Sequence, residues 1–115
     1  MNYKPIVIVA GEPFSIFTEI FFKALKNNEF RRPIVLIISK KLLIKQMKKL
    51  NFNLDFFIID QNKIELNKLS NKRINIIDVD FLFKKAFEKI TNKSNKYISE
   101  CFSVAMSLLK KINVQ

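Results

Sequence analysis

The chain contains no histidine and one cysteine. A serine or cysteine nucleophile activated by imidazole is therefore impossible within it, and so is a histidine-rich zinc site. Cys101 falls in the middle of an apolar helical pattern, where a small buried thiol is expected rather than a reactive one. Three other groups could do chemistry. "AGEPFSI", residues 10–16, places the chain's single glycine, Gly11, directly after an apolar run and just ahead of an apolar helix pattern. Asp60 closes "DFFIID", and Asp78 and Asp80 stand two apart in "IIDVDF", a spacing that puts both on one face of a strand and suits a cation or plain solvation.

The elements that must position these residues alternate in period. "PIVIVA" (5–10) and "PIVLIIS" (33–39) are short continuous apolar runs of the kind a strand covered on both faces requires, and "DFFIID" (55–60) and "INIIDV" (74–79) follow them as strand candidates. From Ile16 the period lengthens: Phe17, Ile20, Phe21, Ala24 and Leu25 recur at helical steps, opposite Glu19, Lys23 and Lys26, and the helix is expected to end near "NNEF". "KKLLIKQMKKLN" aligns Leu43, Met47 and Leu50 as a second helix. From the cap Ser94, Ile98, Cys101, Phe102, Ala105, Leu108, Leu109 and Ile112 form one apolar helix face. Residues 61–73 read as a loop, and 81–90 as a helical turn or an irregular connection. The order predicts one α/β domain over 1–115 with a parallel-type sheet and alternating helices, whose ligands bind beyond the carboxyl ends of the strands.

In that fold Gly11 to Ser15 lie between the end of the first strand and the start of the first helix. A helix amino terminus offers unpaired N–H groups, and a glycine lets the backbone approach a ligand. The same residues also make a tight turn capped by Ser15 with no ligand at all. Glu12 opposes a phosphate there, and neither a Rossmann nor a Walker pattern is present.

"KPIVIVAGEPFSIFTEI" resembles the amino-terminal signature of the 4-hydroxythreonine-4-phosphate dehydrogenase family, a strand followed by Gly-Asp/Glu-Pro-Ala-Gly-Ile-Gly-Pro-Glu. Gly11, Glu12, Pro13, Ile16 and Glu19 match it in register; Ser15 and Phe17 stand for glycines, Thr18 for the proline, and Phe14 for a small residue. The "SNKYISECFSVAMSLLK" stretch is similar to the family's tyrosine-containing helix. The resemblance implies a three-layer α/β/α, isocitrate/isopropylmalate-dehydrogenase-like fold and NAD-dependent oxidation of 4-phosphooxy-threonine in pyridoxal phosphate biosynthesis. It also implies a divalent metal, a homodimer, and cofactor contacts at Gly11, Glu12, Pro13 and Ile16. The family's metal histidines come later in longer chains, so the resemblance makes this chain an amino-terminal portion, inactive alone. Phe14 and Phe17 either fill cofactor space or turn inward as a staple for the helix.

The net charge of +11 admits a second class, a basic module binding nucleic acid. Lys, Ile, Asn and Phe make 59 of 115 residues, all with A- and T-rich codons, and this favours charge as a by-product of composition, with lysines scattered in pairs and only three arginines. A third class is a receiver-like regulatory domain using Glu12 and Asp60 as strand-end carboxylates. No apolar run is long enough to span a membrane, the start lacks the pattern of a secretory signal, and a cytoplasmic location is the default expectation.

Overall fold

The computed structural model of the protein describes residues 4–27 and 31–114. Four parallel strands, β1 (Ile6–Val9), β2 (Ile34–Ile38), β3 (Phe56–Ile58) and β4 (Ile74–Asp78), form one sheet in the order β1-β2-β4-β3. Three helices accompany them: α1 (Phe17–Asn27), α2 (Lys40–Leu50) and α3 (Asn95–Val114). The expected α/β class, the four strands and the three helices are all present. The "NNEF" stretch expected to end α1 lies from residue 28 outside the described residues.

Strand alternation sorts the core into two layers. Ile34, Leu36, Ile38, Ile74 and Ile76 meet Phe21, Phe22, Leu43 and Met47 of α1 and α2 on one face. Val35, Ile37 and Ile77 meet Tyr97, Cys101, Ala105, Leu108 and Ile112 of α3 on the other. Every residue of β2 is buried, which explains why its sequence reads as unbroken Ile, Val and Leu.

The helix arcs are rotated relative to the sequence expectation. In α1, Ile20 is 56% exposed whereas Phe22 and Thr18 are buried, because the buried arc includes the flank that packs on α2. In α3, Phe102 and Leu109 were expected in the apolar face and are exposed, with Met106 exposed between them. Lys111, on the other flank of α3, donates to the Gln61 carbonyl at 2.8 Å in the β3–β4 connection. The Phe102, Met106 and Leu109 flank therefore faces away from that connection.

Local signals set the ends of α2. The Ser39 hydroxyl accepts from Leu42 N–H at 3.3 Å, and Asn51 takes the left-handed conformation at φ 58° to close the helix. Asn75 is a buried polar residue inside β4, and all its contacts are made. Its amide donates to the carbonyls of Ile34 (3.0 Å) and Ser70 (2.8 Å), and its oxygen accepts from Ser70 N–H at 3.0 Å. Asn75→Leu leaves these groups without partners and is expected to destabilise by about 2–3 kcal/mol, read as a lower urea midpoint with an unchanged slope.

Candidate functional site

The connections leave the sheet in opposite senses. α1 and α2 carry the chain from β1 to β2 and onward to β3 across one face. The β3–β4 connection, through Ile64, Leu66 and Leu69, and then α3 return on the other. The sense reverses between β2 and β4, and the crevice beyond their carboxyl ends is where ligands of such sheets bind. Ser39 and Lys40 stand on one side of this crevice and Asp78 on the other.

The crevice is lined by groups of the chain that already satisfy one another. Lys40 N–H donates to Asp78 Oδ1 at 2.8 Å, so a carboxylate occupies the position an anion would take at the start of α2. Ser39 N–H donates to the Tyr97 hydroxyl at 2.7 Å. Burial pushes the Tyr97 phenol well above its ordinary range, the neighbouring Cys101 adds to this, and the Ser39 N–H opposes it. Burial likewise pushes the Cys101 thiol up to about 11, against a hydrogen bond from Tyr97. Cys101 is therefore a neutral thiol near neutral pH, as expected of a structural cysteine.

One strand away, the Gly11 loop has the conformation its sequence suggested. Gly11 sits at φ 73°, a region L side chains rarely adopt, and a Cβ built there meets no atom within 4 Å. The Ser15 hydroxyl donates to the Glu12 carbonyl at 2.9 Å and accepts from Phe17 N–H at 3.2 Å, capping α1. The Glu12 carboxylate turns back to Phe14 N–H at 3.4 Å. Of the two readings for the aromatics, the inward one holds. Phe14 is buried with its ring centroid 5.6 Å from that of Phe81, and Phe17 stacks on Phe21 at 5.5 Å. Pro13 is buried, whereas Ile16 is 67% exposed.

Residues 81–90 form no regular element, which settles the open alternative for that stretch as an irregular connection. The segment folds against the crevice: Phe81 meets Tyr97 at 4.6 Å and Phe14 at 5.6 Å. Glu88 closes its turn, accepting from the N–H groups of Lys84 (2.6 Å) and Lys85 (3.1 Å). These two donors hold its carboxyl below the ordinary range against a desolvation penalty, and Lys93 adds to the lowering. Gln46 ties the parts together: wholly buried, its Nε2 donates to the carbonyls of Pro13 at 2.7 Å and Ala86 at 2.9 Å. Its Oε1 and the buried Thr18 Oγ1 have no hydrogen-bond partner.

The sequence does not single out Gln46, and it marks Tyr97 only as the tyrosine of the helix similar to the family's, without its contact to Ser39. Gln46 had a signal, since it falls three residues after Leu43 and beside Met47, inside the apolar arc of α2. The acidic candidates do not assemble. Glu12 follows β1 and Asp60 follows β3, the two outer strands, with three inter-strand spacings or about 14 Å of sheet between them. Asp60 instead closes its own turn, accepting from Asn62 N–H at 2.9 Å. Asp78 caps α2, and Asp80 is exposed. Among the described residues no three His, Cys, Asp or Glu side chains gather as metal ligands, and no helix is long and apolar enough to cross a membrane.

Fold and site together define a parallel α/β domain with a glycine turn beside its topological crevice. No family model matches the chain, and no curated protein matches its sequence.

Proposed function

We propose that the chain is the amino-terminal α/β segment of an NAD-dependent dehydrogenase of the 4-hydroxythreonine-4-phosphate dehydrogenase type. The whole enzyme would oxidise a phosphorylated hydroxy-amino acid, 4-phosphooxy-threonine, on a homodimeric isocitrate/isopropylmalate-dehydrogenase-like fold. The observation that carries this reading is the Gly11–Glu19 junction. The residues matching the family signature form a strand, a glycine turn at φ 73° and a capped helix at the carboxyl edge of a parallel sheet. The order of the remaining elements, ending in a tyrosine-bearing helix docked on the end of β2, supports it further. So do exposed apolar residues on both sides of the sheet, Ile16 and Ile20 at α1 and Phe102, Met106 and Leu109 on α3, which are available for further packing.

The residues fit one implied group and not the other. Space above Gly11 is open and Phe14 and Phe17 turn away from it, so a dinucleotide can reach the backbone. The Glu12 carboxylate repels a phosphate and accepts from hydroxyls, so the loop suits the ribose or nicotinamide part, with Pro13 holding the turn and Ile16 at its rim. A divalent metal finds no ligand set among the described residues: the chain has no histidine, and the described carboxylates are dispersed. No metal-assisted step is assigned to this segment.

The reading is tested by thermal unfolding with and without NAD. Saturation near 100 times Kd is expected to add about 2.7 kcal/mol and raise Tm by several degrees. Gly11→Ala should lose the shift as well as some stability, because alanine at positive φ is strained and its Cβ enters the approach. Ser15→Ala should lose about 1 kcal/mol of helix capping and keep the shift. An unmoved Tm at saturating NAD would remove the cofactor contact from this segment. The reading frame followed past Gln115 is expected to continue into histidine-bearing segments.

A further inference from the structure

At the opposite edge of the sheet, beyond the amino ends of the strands, two clefts of about 500 and 640 Å³ share Leu25, Asn53 and Leu54 and so form one groove. Lys26 lines the first lobe, and Arg32, Lys72 and Arg73 line the second, with Asp55 as the acidic residue of the lining among the described residues. None of the four cations makes an ion pair among the described residues. Arg32 is held in place by donating through Nε to the Lys4 carbonyl at 2.7 Å and through Nη2 to that of Pro5 at 3.4 Å. The Arg73 guanidinium lies 4.8 Å from the ring centroid of Phe57, an aromatic residue of an outer strand that is 45% exposed. Lysines in the last turn of a helix complement its dipole, which accounts for Lys26. That explanation does not reach Arg32, Lys72 and Arg73, which lie between helices and strands.

We propose that this groove binds single-stranded nucleic acid. Its cations extend over two lobes, a span suited to successive phosphates rather than to one anion. Phe57 lines neither cleft; it stands past Arg73 on the edge strand β3, where its exposed ring gives a strand leaving the groove a flat face on which an unpaired base stacks, and a base-paired strand has no such face to give. Asn53 and Asn71 line the same lobe as Arg32, Lys72 and Arg73, and their amides are donors and acceptors of the kind base edges need. The site is distinct from the Gly11 loop and does not depend on the dehydrogenase reading.

The test is fluorescence anisotropy of labelled oligo-dT and oligo-U titrated with the 115-residue chain at about 50 and about 200 mM salt. Binding is expected at the lower salt and should weaken at least roughly tenfold at the higher. Lys72→Glu with Arg73→Glu should weaken it roughly tenfold or more and flatten the salt dependence. The same charge change on α3, Lys96→Glu with Lys110→Glu, should cost less than about threefold. Phe57→Leu should weaken it about fivefold while the circular dichroism stays native. Absence of binding at low salt, or equal losses from the two double variants, would overturn the proposal. Inorganic polyphosphate binding as tightly as the oligonucleotide, with Phe57→Leu silent, would overturn it too, since charge alone would then explain the attraction.

Discussion

Gln46→Leu is expected to cost about 3 kcal/mol, a large share of the 5–15 kcal/mol typical of a domain. The side chain is wholly buried, and its amide is the donor to both the Pro13 and Ala86 carbonyls. Leucine fills much of the volume and leaves both acceptors unpaired, each at a penalty of about 1–3 kcal/mol, offset in part by removing the unpartnered Oε1. Gln46→Glu should be worse near neutral pH, because a carboxylate would face two carbonyl oxygens, and should recover as acid protonates it. Hydrogen exchange separates this role from generic core loss. Amides of residues 84–88 and of the Gly11 loop should exchange faster in Gln46→Leu, while those of β2 change only with global stability. Unchanged exchange in both loops would refute the role of Gln46 as their tie.

Alkaline pH should unfold the protein earlier than its lysine-rich composition suggests, through the pair under Ser39. Cys101 has an ordinary value of 9.0 and is raised to about 11 in the folded state, and Tyr97 is raised above its ordinary 10.0. The folded state thus holds both protons more tightly than the unfolded chain. Their contribution is complete below about pH 9 and is lost as pH rises, first through the Cys101 window up to about 11 and further as Tyr97 ionises in the unfolded chain. The Cys101 share alone is on the order of 3 kcal/mol. Denaturant titrations at a series of pH values should show stability falling from pH 9 upward, and Cys101→Ala should flatten the first part of the fall. A wild-type curve level from pH 8 to 11 would contradict this.

The strands and helices were legible because a sheet covered on both faces demands unbroken apolar runs and the helices between them demand a longer period. β2 and α2 fall within a residue or so of their expected limits. Periodicity locates an apolar arc but not the neighbour on its flank. Phe22 and Thr18 were hidden for that reason, and Ile20, Phe102 and Leu109 proved exposed. The Gly11 turn was legible from one glycine after a strand, because positive φ has few other solutions. The contacts that close the crevice were not. Gln46 reaches residues 33 and 40 positions away, and Tyr97 reaches Ser39 from 58 away, pairings that depend on the strand order. The gathering of Arg32 with Lys72 and Arg73 is equally a product of topology, since β2, α2 and β3 lie between Arg32 and that pair in the sequence.

The position of β4 between β2 and β3 also dictates an order of events during synthesis. β1 and β2 can pair as soon as both have emerged, but β3 has β4 as its sheet partner, and β4 is made later. Until then Phe56–Ile58 lacks its native ladder partner, and the edge of β2 that β4 covers is open. The native sheet therefore cannot be complete before β4 has been made and lies between two segments that precede it in the chain.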